Sequence, residues 1–213
     1  MNTVAQKLVA DGLSALSAIP SMTAAPEEVE AFVEKADALC VNLGTLDAGR
    51  RVAIDLAVAR AVSTGKPWAL DPAHCDYSPP RAAYAETLLA RRPAVLRANA
   101  EEFALLTVPD GVVAVRTGAV DRIGAVTVEN GHPLTAKVTG TGCLSGALIA
   151  AFLAVGDARD AAVTAMAVTG VAAEQAGRHA HGPGSFEPAL LDALFALSPD
   201  DILKHARIGH EQG

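Results

Sequence analysis

Residues 138–146 read Val-Thr-Gly-Thr-Gly-Cys-Leu-Ser-Gly and run into an uncharged apolar stretch. Gly140 and Gly142 leave backbone N–H groups uncovered at what the pattern makes a helix N-terminus, a ready anion site. Cys143 falls in the first turn, where the helix dipole favours a thiolate. The same residues also suit a plain glycine-rich helix entry around a small buried side chain. The loop is neither a Walker A sequence nor a Gly-x-Gly-x-x-Gly.

A second group lies at residues 97–102. Asn99 and Glu102 are three apart and share one helix face. Asn at an N-cap with Glu three residues on is a capping box, which accounts for both without a ligand. Arg97 ends an apolar run, where a buried charge needs a partner. An Arg beside a carboxylate suits a phosphate with a hydrated metal ion. Thr117, before Gly118, places a hydroxyl at another strand end, as an ordinary turn also does. Asp71 precedes Pro72 and reads as a ligand to metal-bound water or as a cap. Met22, after Pro20 and Ser21, is a core filler or a ligand contact. The six histidines show no strong metal-ligand spacing, and His179 and His181 flank a loop.

An alternation of helix and strand must position these groups. The spacing predicts helices over 4–18, from Pro26, over 50–64, over 78–92, from Asn99, and over about 143–155, 157–177, 187–197 and 199–206. Strands are predicted at 38–44, 67–72, 94–99 and 111–118. Residues 121–134 alternate as a hairpin around Asn130 and Gly131. Beyond Gly142 every element reads as helical. This order predicts an α/β fold, a mostly parallel central sheet with helices on both faces. Ligands in such sheets bind beyond the carboxyl ends of the strands. Asn42–Thr45, Asp71, Arg97–Asn99 and Thr117–Gly118 all fall at such ends. No repeat or linker stands out, so residues 1–213 are read as a single domain.

Composition narrows the function. The chain has 213 residues, 51% apolar, 19% charged and only 4% aromatic, so its core is built of Ala, Val and Leu. The net charge is −7, with no Lys/Arg run to follow a phosphate backbone, which argues against nucleic acid as a partner. Residues 138–156 carry no charge, but their first half is Thr, Gly and Ser. They read as a buried helix and not as a membrane span. Three cysteines far apart, Cys40, Cys75 and Cys143, fit a reducing, cytoplasmic setting. The N-terminus has neither a basic region nor an apolar core of the signal-peptide kind.

Taken in order, several segments resemble the hydroxyethylthiazole kinase family of the ribokinase-like superfamily. They are Asn2 to Ala10, Pro20-Ser-Met22, Ala25-Pro-Glu-Glu-Val, Ala36-Asp-Ala, Asn42-Leu-Gly-Thr-Leu46, Asp71-Pro72, Leu96-Arg-Ala-Asn-Ala-Glu-Glu102, Val115-Arg-Thr-Gly118, Val138 to Cys143, and Gly184-Ser-Phe. The resemblance implies phosphorylation of the primary alcohol of 4-methyl-5-(2-hydroxyethyl)thiazole by Mg-ATP in thiamine salvage. It implies an α/β sandwich and a homotrimer with active sites between subunits. By motif, Met22, Gly44 and Gly140 contact the thiazole, with Asn2 as a further candidate. Arg97 and Thr117 hold ATP, and Asp71 and Glu102 organise Mg²⁺ through water. Gly140, Thr141 and Gly142 form an anion hole for the transferring phosphoryl group. Cys143 stands where most ribokinase-like relatives place an Asp base.

The chain departs from that pattern in four places. The family normally has a helix and a first strand before the position of Asn2, the second residue here. Between Glu102 and Gly111 only about eight residues remain for a crossover that parallel strands make with a dozen or more, so strands at 94–97 and 112–116 are not expected to be joined in the ordinary way. Residues 73–78 are Ala-His-Cys-Asp-Tyr-Ser where the family often has Gly-Ala-Gly, and Asp11 stands where Asn is common. Two other readings follow: a kinase of a different small alcohol, or a non-catalytic relative that binds thiazole or nucleotide.

Overall fold

The computed structural model describes residues 5–211. Strands β1 (Leu39–Asn42), β2 (Trp68–Asp71), β3 (Val95–Asn99) and β4 (Val113–Thr117) are parallel neighbours in chain order. Strands β5 (Asp121–Ile123), β6 (Val126–Val128) and β7 (Ile208–His210) extend the same sheet by antiparallel pairing. The predicted α/β class is therefore met.

Side chains alternate across each strand, and two cores result. Leu39, Val41, Trp68, Leu70, Leu96 and Ala98 pack with one set of helices. These are α2 (Val29–Lys35), α3 (Ala48–Ser63) and α4 (Pro79–Leu89), followed by the single turn α5 (Ala100–Phe103). Ala69, Val95, Val115, Ile123 and Val128 face the other way. They meet α1 (Gln6–Ala15), α6 (Thr141–Leu153), α7 (Ala158–Gly177) and α8 (Pro183–Ala196). Helix α9 (Pro199–His205) leads into β7. Helices α6 and α7 bury Ala and Gly along most of their length, the close packing that an aromatic-poor composition requires.

Four expectations change. The hairpin between β5 and β6 turns at Gly124 and Ala125, not at Asn130. Asn130 is instead buried, donating to Glu174 and to the His205 carbonyl and accepting from the Arg207 amide. The stretch beyond Gly142 is not all helical, because β7 pairs with β6, Ile208 opposite Val128. Strands β3 and β4 are ordinary parallel neighbours, Leu96 beside Ala114 and Asn99 beside Thr117. Residues 100–112 connect them: one helical turn, then an extended return in which Leu106, Val108 and Val112 pack on the sheet. The strand ends lie at Asn99 and Val113, so the connection has the length a crossover needs. Last, α6 starts at Thr141, so Gly142 lies within its first turn.

Candidate active site

Strand alternation aims the polar groups. Asn42 is two residues beyond Cys40, Asp71 two beyond Ala69, and Arg97 two beyond Val95. Each therefore projects toward the helix layer of α6, as its apolar predecessor does. The register sets Asn42 directly opposite Asp71.

Helix α6 arrives at this edge nose first. Its N-cap, Gly140, has φ +98°, a left-handed backbone that favours glycine. A Cβ there would also lie 2.2 Å from that of Ala5. Among the described residues no side chain caps the helix, so its first-turn amides, which lack acceptors a turn earlier, are directed out of the helix end. Gly142 lets the guanidinium of Arg97 pass: a Cβ there would stand 2.7 Å from Nη2. Gly146, one turn on, lies over the carboxylate of Asp71.

The result is one connected group. Asn42 Nδ2 donates to Asp71 Oδ2 at 2.8 Å and to Cys143 Sγ at 3.4 Å, while its Oδ1 accepts from the Gly44 amide at 3.0 Å. Arg97 Nη1 stands 3.7 Å from Asp71 Oδ1, an ion pair nearly closed to solvent. Burial pushes the Asp71 carboxyl upward, and the charge of Arg97 opposes that rise while Glu102 adds to it. The loop bearing Gly44 is held by Arg50, a buried guanidinium that donates to the carbonyls of Asn42, Gly44 and Thr45. Burial lowers the pKa of Arg50.

Glu102 is buried beside this group and forms the capping box with Asn99. Its Oε1 accepts from the His74 amide at 2.7 Å and its Oε2 from the Asn99 amide at 2.9 Å. Thr117 donates weakly to the Ala98 carbonyl. It lines an open cavity of about 470 Å³ together with Ala100, Arg116 and the 118–120 turn. Met22 packs against the core of the α6 layer. Asn2 lies outside the described residues.

The structure thus brings together Asp71, Arg97, Gly142 and Cys143, with Glu102 near enough for its charge to raise the Asp71 pKa. Thr117 stands further along the same strand-end edge. Three participants were not given a role by the sequence reading: Asn42, Arg50 and Asp121. The signal for Asn42 was a polar residue in inward register at the end of an apolar strand. Asp121, largely buried at the start of β5, accepts from the Gly118 amide. Arg50 carried no signal, since an Arg inside a helix is ordinary.

Two anchored carboxylates and a guanidinium along the carboxyl edge of the sheet, beside a helix N-terminus, are groups that a small-molecule phosphotransferase on an α/β sheet requires. Comparison with known proteins narrows the class. The sequence pattern of the hydroxyethylthiazole kinase family matches residues 1–110 and 105–200. A probable hydroxyethylthiazole kinase of Agrobacterium fabrum (strain C58) is 58% identical, over 100% of this chain and 89% of its own. The hydroxyethylthiazole kinase of Serratia proteamaculans is 38% identical, over 94% of this chain and 88% of its own. The solved structure of the Pyrococcus horikoshii hydroxyethylthiazole kinase superposes with a TM-score of 0.93 at 32% identity, covering 99% of this chain and 91% of that one. The chain belongs to the hydroxyethylthiazole kinase family.

Proposed function

We propose that this protein transfers the γ-phosphoryl group of ATP to the primary hydroxyl of 4-methyl-5-(2-hydroxyethyl)thiazole, a step of thiamine salvage in the cytoplasm. The observation that carries the reading is Asn42, which donates to both Asp71 and Cys143 at the start of α6. It sets a proton acceptor beside a place where anionic oxygen is stabilised.

Phosphoryl transfer asks the protein mainly for positioning and for charge stabilisation. The first-turn amides of α6, at Gly140, Thr141 and Gly142, stabilise the equatorial oxygens of the transferring group. Arg97 donates to the nucleotide phosphates and Thr117 lines the nucleotide side. Cys143, as the thiolate, accepts the hydroxyl proton and becomes the thiol as the bond to phosphorus forms, a contribution of about 10²–10⁴-fold. Met22, Gly44, Gly140 and Asn2 line the thiazole.

The carboxylates fit a hydrated hard cation. Asp71 Oδ1 is held by the Ala73 amide, and both oxygens of Glu102 are held by amides, so these groups are set in place. Each oxygen keeps a lone pair for a metal-bound water. Asp71 and Glu102 would hold Mg²⁺ in this way, since Mg²⁺ prefers oxygen ligands and retains several waters. When bound, it neutralises phosphate charge.

The protein functions as a homotrimer in this reading. The test is ADP release with Mg-ATP in the presence and absence of the thiazole alcohol, with phosphorus NMR of the product. Thiazole-dependent turnover and a phosphomonoester signal are expected. Binding of both substrates without turnover would leave a non-catalytic relative. Turnover restricted to another alcohol would reassign the substrate.

A further inference from the structure

The loop after β2 is the part of this edge that the proposed reaction leaves unused. His74 has φ 59° and ψ 33°, a left-handed backbone, and caps a short 3₁₀ turn over Cys75–Tyr77. Its amide is tied to Glu102, so the loop folds back over the α5 turn. As a result, one ligand atom from each of His74, Asp76 and Glu102 lies within 4.8 Å of the other two. Around a single ion at about 2.1 Å, neighbouring ligand atoms stand roughly 3 Å apart and opposite ones roughly 4.2 Å. Small side-chain adjustments close the three onto one centre.

A second observation points the same way. Asp76 Oδ1 is buried and has no hydrogen-bond partner among the described residues. Leaving such an oxygen unsatisfied is unfavourable, and a cation removes that cost. Glu102 is buried and His74 is exposed, so the group has a fixed floor and an entrance from solvent.

We propose that His74, Asp76 and Glu102 form a binding site for a borderline divalent transition-metal ion of the Co²⁺ and Zn²⁺ class. The imidazole sets the preference. Mg²⁺ favours all-oxygen shells, whereas imidazole suits the later first-row ions. The site shares Glu102 with the proposed magnesium position and otherwise uses residues the kinase reading does not employ.

The experiment is a Co²⁺ titration of the full chain, without nucleotide or affinity tag, in millimolar Mg²⁺. Visible absorption of the ion is the readout. One Co²⁺ per chain is expected, with ligand-field bands that Mg²⁺ does not displace. His74→Gly should weaken binding at least tenfold. Gly is at ease at positive φ, so this variant keeps the fold, as its circular dichroism and melting temperature would show. Asp76→Asn should weaken binding similarly. Binding that is absent, or equal in His74→Gly, overturns the site. So does a sulfur-to-cobalt band in the near ultraviolet, which would assign the ion to a cysteine. None of these outcomes depends on turnover, so failure of the kinase reading and failure of this site are distinguishable.

Discussion

Cys143 and Asn42 act on one another through a single donated hydrogen bond, and their substitutions should not add. Asn42 Nδ2 also holds Asp71, so Asn42→Ala takes one donor from the carboxylate, leaving the Ala73 amide and Arg97, and one from the sulfur. Turnover should fall about 10- to 100-fold in Asn42→Ala, in the range of one or two lost hydrogen bonds to charged or reacting groups. Cys143→Ala should lower turnover by about 10²-fold without abolishing it, with thiazole affinity little changed, because amides and metal carry the rest. Cys143→Asp should retain function, since Asn42 can donate to a carboxylate as well as to sulfur. In the double variant the second substitution should cost much less than it does alone. Steady-state kinetics of the four proteins measures the coupling. Strict additivity would show that the two residues act independently, and wild-type turnover in Cys143→Ala would reduce the cysteine to a small core residue. Arg97 shows what one sequence cannot assign by residue type. The need for a buried partner was legible, but the partner, Asp71, is 26 positions away and is fixed only by sheet register.

At the scale of elements, the far edge of the sheet is held by a polar clasp. Glu174 on α7 accepts from Asn130, from the Gly131 amide and from Arg207, and Arg207 leads into β7. Burial pushes the Glu174 carboxyl upward, but these donors outweigh it, and its pKa lies below the ordinary glutamate value of 4.5. A lowered native pKa means stability that is complete above the unfolded value and is lost as pH falls through the native one. Glu174→Gln should therefore destabilise the protein by about 1–3 kcal/mol at pH 7. The gap between variant and wild type should hold down to about pH 4.5 and then shrink. Urea unfolding across that range is the measurement, and a gap independent of pH would assign the loss to packing. This clasp also explains where sequence reading succeeded and where it did not. The four parallel strands were legible from apolar runs ended by Gly, Asp or Asn. Asn130-Gly131 has the chemistry of a hairpin turn, yet long-range partners on α7 and after α9 claim Asn130, and the chain turns at Gly124. β7 is three residues without alternation, so only its pairing with β6 defines it. The crossover runs over 100–112 because β3 ends at Asn99 and β4 starts at Val113, whereas a count from Glu102 to Gly111 leaves out its first and last residues.

For the whole molecule, the question is what covers its exposed apolar side chains. Ile19 is 97% exposed, and it stands three residues before Met22 on the loop after α1. Val155, Phe195 and Leu203 are also more than three-quarters exposed. Single exposed apolar residues are ordinary on a monomer. A fully exposed Ile beside a residue proposed to line the substrate is better placed at a junction between subunits, where a neighbour both covers it and closes the pocket. Burying one such side chain contributes about 1.5–3 kcal/mol, and three symmetric copies multiply that in a trimer. Sedimentation equilibrium should therefore give about three times the chain mass of 21.7 kDa. Ile19→Glu places three charges at the junctions and should shift the protein toward monomer. Because Ile19 makes little contact within its own chain, the monomer should keep its helical content. If the pocket is shared, dissociation should raise the KM for the thiazole alcohol more than that for ATP, whose proposed contacts, Arg97 and Thr117, come from one chain. A stable monomer with undiminished thiazole turnover would refute the shared pocket. A trimer unaffected by Ile19→Glu would move the interface to the surface that carries Val155, Phe195 or Leu203.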